Sequence, residues 1–340
     1  MSTLTLSFAS ALNERTKPLL DGSVSPQGID LVPIVSDPAE TFWRQLRFME
    51  FDICEFSLSS YFIARSRGVD LVAIPAFPSR RFMHTELDCN VAAGIDEPSD
   101  LRGKRIGVPE YQQTAALWLR GTLEHDFGVS QYDVDWYMER SEALSHGGAT
   151  GFRPREGISF QRVPAGETLV SMLAAGELDA AMVRRSLRKD PANLLDRSWR
   201  IADADWGQVR PVFTDTIAEG KRFFDAHGFI PVNHTYVIRG ELLRKHPWIA
   251  LNLYMGFAKA KEVAERTLLE SIPLSLVFRW EYLEQAHALF GEDPFPYGLE
   301  PNRHALETLM RYSHEQGFIP EIVPLESLFA PSTLDVSTTK

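Results

Sequence analysis

The chain has 340 residues, a length typical of about two domains, and a composition ordinary for a globular protein, with 44% hydrophobic and 24% charged residues. Its 46 acidic residues outnumber its 35 basic residues, and the resulting net charge of -11 argues against a general nucleic-acid-binding role. Cys54 and Cys89 are too few for a disulfide framework or a zinc site, and we expect both to be buried. No apolar stretch approaches the length of a membrane span.

Short apolar runs alternate with amphipathic stretches through the first third of the chain. They predict strands at 4–9, 29–35, 52–56 and 71–77, and helices at 15–20, 38–49 and 58–67. Asp37 and Pro38 supply a cap and a first position for the second helix. This β-α-β-α order predicts an α/β domain with a largely parallel sheet.

A second unit is predicted to begin near Ser99. Its predicted elements are strands at 105–108, 133–138 and 178–183, with helices at 112–125 and 167–175. The segment 139–157 is rich in glycine, serine and charge, and is predicted to be an exposed loop. After an extended segment at 229–238 the chain is predicted to be mostly helical, at 246–266, 277–290 and 302–316, and to end in a frayed tail from Ser332.

Two polar segments of the first unit follow predicted strands, the position at which open α/β sheets bind ligands. Ser57, Ser59 and Ser60 lie at the start of a helix, where they can bind an anion or simply cap the helix. Arg80 and Arg81 follow the fourth strand. A guanidinium there can bind a carboxylate bidentately, or it can be an ordinary surface cation.

A third polar segment lies between a strand and a helix of the second unit. It can contact the other end of a ligand or cap the helix, and its candidate residues are Glu110, Gln112, Gln113 and Thr114. Arg184 and Arg185 follow the strand that ends at Val183. They can reach a ligand from the second unit or form a solvated basic turn, and we favour the turn.

Glu55 and His234 are the candidates for proton transfer. Glu55 can exchange a proton or orient a neighbouring arginine. His234 follows Asn233 in the extended segment, and it can change protonation near neutral pH or can be a buried structural residue. The sequence contains no G-x-G-x-x-G, P-loop, G-x-S-x-G or H-E-x-x-H motif, and its nine histidines show no close ligand pairs. A metal site that folding assembles from distant residues is left open.

Three sequence segments resemble those of proteins with the type 2 periplasmic-binding-protein fold. They are Asp100–Pro109, Thr168–Ala180, and His246–Trp248 with the helix that contains Ala258–Lys261. The resemblance implies a two-lobed α/β fold with a hinge and a central cleft that holds the ligand. The first lobe is expected at 1–95 plus 237–340, and the second lobe at 96–236.

A narrower resemblance, to the 4,5-dihydroxyphthalate decarboxylase family, extends over nearly the whole chain. The segments that carry it are Glu55–Tyr61, Phe77–Arg80, Val108–Gln112, Thr114–Ala115, Phe229–His234, Pro296–Arg303 and Gln316–Gly317. It implies a carbon–carbon lyase that removes a carboxylate from a hydroxylated aromatic dicarboxylate without oxidation, as in conversion of 4,5-dihydroxyphthalate to protocatechuate. No organic cofactor is expected, and a divalent metal is left open.

The resemblance also implies roles for the candidate residues. Arg80, with Arg81, would orient a carboxylate, and His234 would supply the proton, with Glu55 as the alternative. The remaining polar edges of the substrate would contact the three serines, the 110–114 segment and Asn233. The alternative function is a solute-binding protein for a small organic anion. Because no export signal is read at the N-terminus, a cytoplasmic location is expected, with no nucleic-acid or membrane partner and homo-oligomerisation left open.

Overall fold

The computed structural model describes residues 3–183, 195–200, 205–270 and 276–338. The chain divides into two compact units, each with its own sheet. Unit 1 consists of Met1–Arg80, Val232–Glu307 and Val323–Lys340, and unit 2 consists of Arg81–Pro231 and Thr308–Ile322.

The sheet of unit 1 has the spatial order β2 (Ile29–Val35), β1 (Leu4–Ser10), β3 (Ile53–Ser57), β11 (His234–Arg239) and β4 (Leu71–Ile74). Strand β1 is parallel to β2 and β3, whereas β11 is antiparallel to both β3 and β4. Strands β3 and β4 therefore run in the same direction. As a result, the carboxyl ends of β1, β3 and β4 meet the amino end of β11 at one edge of the sheet, which we call the carboxyl edge.

The helices of unit 1 cover an apolar core that includes Phe8, Ile53, Leu253 and Phe257. They are α1 (Lys17–Leu20), α2 (Pro38–Phe48), α3 (Leu58–Ser66), α8 (Gly240–Lys245), α9 (Ile249–Glu270), α10 (Arg279–Phe290) and the first part of α11 (Arg303–Glu315). The predicted start of α2 is confirmed, because the Asp37 side chain accepts a hydrogen bond from the Ala39 N–H and Pro38 occupies the first turn. Both cysteines are buried, as predicted.

The sheet of unit 2 has the spatial order β10 (Val209–Pro211), β5 (Leu87–Asn90), β9 (Ala180–Met182), β6 (Arg105–Val108), β7 (Asp135–Met138) and β8 (Phe160–Arg162). Its helices are α4 (Thr114–Phe127), α5 (His146–Thr150), α6 (Leu169–Ala174) and α7 (Thr216–His227). Gly107 on β6 lets α6 approach closely, since a Cβ there would lie 2.5 Å from the Leu169 side chain. Within the described ranges, every helix is too short or too polar to cross a bilayer.

The structure places the unit boundaries differently from the predicted 95/96 and 236/237. Strand β5 pairs with β9 and β10, so the chain has already entered the second sheet by Leu87. It has returned to the first sheet by His234, at the start of β11. The second part of α11 belongs to unit 2, where Tyr312 packs edge-on against Trp118 with ring centroids 5.5 Å apart.

Two local predictions were wrong. The predicted exposed loop at 139–157 contains the short helix α5, and several of its polar residues are buried, Glu139, Arg140 and His146 among them. Their charges are satisfied inside the protein, as in the bidentate pair of Arg140 with Asp196. The predicted frayed tail is held as far as Thr338, whose hydroxyl accepts a hydrogen bond from the Tyr297 N–H at 2.8 Å.

Candidate active site

A histidine–glutamate pair lies at the carboxyl edge of the unit 1 sheet. Glu55 is on β3 and His234 begins β11, and the register that places His234 opposite Ser57 puts both side chains on one face. His234 Nδ1 and Glu55 Oε1 are 2.6 Å apart. The glutamate side chain is 3% exposed and the histidine side chain 14% exposed, so solvent reaches the pair only at the imidazole.

The protein fixes the ionisation of Glu55. Burial alone would raise the pKa of Glu55. The hydrogen bond and charge of His234, together with the hydrogen bonds from Ala11 and Ser10, lower it by more, so the pKa of Glu55 lies below its usual value. Its Oε2 accepts hydrogen bonds from the Ser10 hydroxyl at 2.9 Å and the Ala11 N–H at 3.0 Å. Glu55 is therefore a carboxylate at neutral pH and accepts the Nδ1–H of His234.

The imidazole is also fixed in orientation. The Phe42 ring packs edge-on against it, with centroids 4.8 Å apart and an interplanar angle of 80°. In the described part of the chain, Nε2 of His234 makes no hydrogen bond. A carboxylate that holds one ring nitrogen leaves the other as the site of proton exchange.

Two tyrosines extend this polar edge. Tyr236 lies directly opposite Glu55 in the pairing of β11 with β3, and Ser10 donates a hydrogen bond to Glu55 at 2.9 Å. The Tyr236 ring is stacked on Phe257, with centroids 4.0 Å apart. Burial raises the pKa of both Tyr236 and Tyr297, so both remain neutral phenols that can donate a hydrogen bond.

Arg80 lies near the pair. It forms a backbone bridge with Val232, two residues before His234, which sets the Cα atoms of Arg80 and His234 roughly 7–8 Å apart. Its Nη2 donates to the Pro296 carbonyl at 2.9 Å and to the Asn302 side-chain oxygen. Burial lowers the pKa of Arg80 to about 9, and the guanidinium is still a cation at neutral pH. Its predicted role in binding a carboxylate stays a prediction, and its location agrees with that role.

The predicted serines and Asn233 lie at the same edge. Ser57 is the N-cap residue of α3, but its side chain makes no capping hydrogen bond, and its hydroxyl is 3.2 Å from that of Ser59. Ser59 and Ser60 are buried in the first turn of α3. Asn233 is buried, and its Oδ1 has no hydrogen-bond partner among the described residues. A buried acceptor of this kind fits a ligand hydroxyl or a water molecule.

The other predicted residues belong to unit 2. Arg81 forms an ion pair with Glu86, so an acidic side chain already faces its guanidinium. Glu110 is buried and accepts a hydrogen bond from the His146 N–H at 2.9 Å. Burial raises the pKa of Glu110 above its usual value, against the charge of the nearby Arg140.

The rest of the 110–114 segment also contacts protein. Gln112 accepts a hydrogen bond from the Thr150 hydroxyl at 2.8 Å, so this part of the segment supports α5. Gln113 is the N-cap residue of α4, and Thr114 is the buried first residue of that helix. Contact of these residues with a ligand stays a prediction.

Sequence reasoning missed Ser10, Arg15, Tyr236 and Tyr297. Arg15 follows the carboxyl end of β1 as Arg80 follows that of β4, and this shared position is the signal that could have found it. Arg184 and Arg185 lie outside the described residues. Among the described residues, no group of three or more histidine, cysteine, aspartate or glutamate side chains could hold a metal ion.

Comparison with individual curated proteins shows the family, although no protein-family model matches the chain. The chain is 34% identical over 338 residues to the 4,5-dihydroxyphthalate decarboxylase of Comamonas testosteroni, covering 98% of this chain and 99% of that protein. The chain belongs to the 4,5-dihydroxyphthalate decarboxylase family. The Pseudomonas putida protein of the same name is 41% identical over 187 residues, which cover 55% of this chain and 72% of that protein.

Solved structures confirm the predicted fold class. The periplasmic aliphatic sulphonate binding protein SsuA from Escherichia coli superposes with a TM-score of 0.55 at 14% identity, over 98% of this chain and 99% of that chain. The alkanesulfonate-binding protein SsuA from Xanthomonas axonopodis pv. citri superposes with a TM-score of 0.53 at 14% identity, over 98% of both chains. The chain therefore has the two-lobed α/β fold of periplasmic binding proteins.

Proposed function

We propose that the protein removes one carboxylate from a hydroxylated aromatic dicarboxylate without oxidation, converting 4,5-dihydroxyphthalate to protocatechuate and carbon dioxide. The names of the curated relatives support this reaction. Within the molecule, the supporting observation is the 2.6 Å Glu55–His234 pair, because binding alone does not need an oriented proton donor.

The substrate supplies the electrons. A hydroxyl para to the departing carboxylate, once deprotonated, pushes electron density to the ring carbon that bears that carboxylate. A proton adds to this carbon, and aromaticity is briefly lost. The carbon–carbon bond then breaks, its electron pair returns to the ring, and neutral carbon dioxide leaves. The phenol regains its proton, so one proton is consumed in each turnover.

His234 is the proposed proton donor. A protonated ring would deliver a proton from Nε2 to the substrate carbon while Nδ1–H stays bound to Glu55. The carboxylate of Glu55 orients the imidazole and stabilises its cationic form, the arrangement that serves histidine in hydrolytic triads. Positioned acid–base groups typically contribute about 10²–10⁴-fold in rate.

The other candidates at the carboxyl edge would bind the substrate. Arg80 would hold a carboxylate, for which its planar guanidinium is suited. Asn233 Oδ1, buried and unpartnered within the described residues, would accept a hydrogen bond from a substrate hydroxyl. Ser57 would contact the ring substituents from the start of α3.

We further propose that no organic cofactor takes part, because the phenol itself supplies the electron density that the bond cleavage requires. A small aromatic dicarboxylate is accordingly the proposed ligand. The expected cytoplasmic location stays a prediction.

Incubation with 4,5-dihydroxyphthalate tests the proposal. Carbon dioxide and protocatechuate should appear in equal amounts, and in deuterated water one deuterium should enter the product at the vacated ring carbon. The reaction is run after chelation and with added divalent metal, so that the metal requirement is measured directly. Tight binding without product in both arms would contradict the decarboxylase and favour a solute-binding protein.

A further inference from the structure

Arg15 and Arg80 are held by the same two short segments of unit 1. Arg15 Nη1 donates a hydrogen bond to the Pro78 carbonyl at 3.0 Å, and its guanidinium carbon lies 3.7 Å from the centroid of the Phe295 ring. Arg80 is two residues beyond Pro78, and its Nη2 donates to the carbonyl of Pro296, the residue after Phe295. The shared supports bring the two guanidinium groups into one region.

These two like charges are shielded from water. The Arg15 side chain is 12% exposed and Arg80 is 8% exposed. The ion pair of Arg15 is with Glu14 at 3.4 Å, whose side chain is 61% exposed, and such a surface pair contributes little. The two cations repel each other, the carboxylate of Asp293 partly offsets that repulsion at Arg80, and an anion bound between the two guanidinium groups would relieve the rest.

The two cations lie at the same edge as the proton-transfer pair. Arg80 is bridged to Val232, two residues before His234. Glu55 accepts hydrogen bonds from Ser10 and from Ala11, which lies four residues before Arg15. Arg15 also follows β1, the neighbour of the strand that carries Glu55.

The chemistry distinguishes the two carboxylates of the substrate. The departing carboxylate becomes neutral carbon dioxide, so cations bound to it would stabilise the ground state more than the transition state and would slow the reaction. The retained carboxylate stays anionic throughout. Two guanidinium groups on that carboxylate would anchor the ring without opposing bond cleavage.

We propose that Arg15 and Arg80 together bind the carboxylate that remains on the aromatic ring, so that Arg15 is a specificity residue for the carboxylate shared by substrate and product. The inference rests on the proposed function and deepens it. It implies that the product occupies the same cation pair as the substrate.

Binding measurements with Arg15→Gln test the inference. The ligands are 4,5-dihydroxyphthalate, measured in a His234→Gln background to prevent turnover, protocatechuate, and catechol, which has no carboxylate. Loss of one charged hydrogen-bonding group should weaken both carboxylate ligands about 10- to 100-fold and leave catechol unchanged. Arg15→Lys should recover part of the affinity, because it keeps the charge but not the planar fork.

A matched control is Arg244→Gln, which removes another arginine of unit 1, one that pairs with Asp70 on the surface. This variant should bind all three ligands normally. The inference would be overturned if Arg15→Gln weakened binding of the substrate but not of protocatechuate, or if it weakened neither. It would also be overturned if catechol lost as much affinity as the two carboxylate ligands. A wild-type protein that releases no carbon dioxide would instead overturn the proposed function, which makes the two failures distinguishable.

Discussion

Glu55→Gln removes the negative charge that faces His234 while keeping the size and shape of the side chain. Glu55 accepts three hydrogen bonds, from His234 at 2.6 Å, Ser10 at 2.9 Å and Ala11 at 3.0 Å. A glutamine amide has one accepting oxygen, so it cannot satisfy both the histidine side and the Ser10–Ala11 side. The imidazolium form of His234 therefore loses its anionic partner.

The size of the effect follows from that bond. A hydrogen bond to a charged group is worth about 1.5–3 kcal/mol, and each 1.4 kcal/mol is a factor of about ten. If the Glu55–His234 bond stabilises the proton donor in the transition state, kcat should fall roughly 10- to 100-fold.

The assay is kcat and KM for protocatechuate formation. The chain offers a matched control in unit 2, where His84 Nε2 lies 2.7 Å from Glu219 Oε1. Glu219→Gln removes the same kind of bond and should lower the free energy of unfolding while leaving kcat unchanged. An unchanged kcat for Glu55→Gln, or an equal fall in kcat for Glu219→Gln, would refute the role of Glu55 in stabilising a proton donor.

Three further outcomes are expected. His234→Gln should lower kcat about 10²–10⁴-fold with little change in substrate affinity measured by calorimetry, and near-normal turnover of the folded variant would contradict the role of His234. Arg80→Ala should weaken substrate binding by about 2–5 kcal/mol and Arg80→Lys by less, whereas a loss below about 0.5 kcal/mol would show that Arg80 does not bind the substrate carboxylate. Burial raises the pKa of Asp126, but hydrogen bonds from His227 and Arg222 bring it below its usual value. These two hydrogen bonds therefore stabilise the fold above about pH 4 and less so below it. In urea unfolding, Asp126→Asn should have a lower free energy of unfolding than the wild type near neutral pH, and this difference should shrink on acidification. A pH-independent difference would show that the Asp126 charge is not the cause.

Local signals predicted the local parts of the structure. The strand at 29–35 and the strand at 105–108 have the predicted bounds, and α2 begins where Asp37 and Pro38 indicated. The unit boundaries could not be predicted as well, because they depend on which strands pair. Nothing near β5 in the sequence shows that its partners are β9 and β10.

The contacts of the candidate site could not be predicted from local sequence either. Glu55 and His234 were each identified from their neighbours, but their contact joins residues 179 positions apart through the register of β3 with β11. Arg140 lies in the segment 139–157, which was predicted to be an exposed loop because it is rich in glycine, serine and charge. Its buried partner Asp196 lies 56 positions away, and only the folded chain brings the two together.

Strand β11 fits between β3 and β4, although it is made long after both of them. Glu55 and His234 are 179 residues apart, which at ribosomal rates of about 5–20 residues per second corresponds to roughly 9–36 s of synthesis. From the synthesis of β4 until the end of this interval, β3 and β4, which are largely buried in the finished protein, each present an unpaired edge. The nascent chain therefore spends much of its synthesis with two exposed apolar strands, and its soluble yield should depend on chaperones that hold it before residue 234 leaves the ribosome.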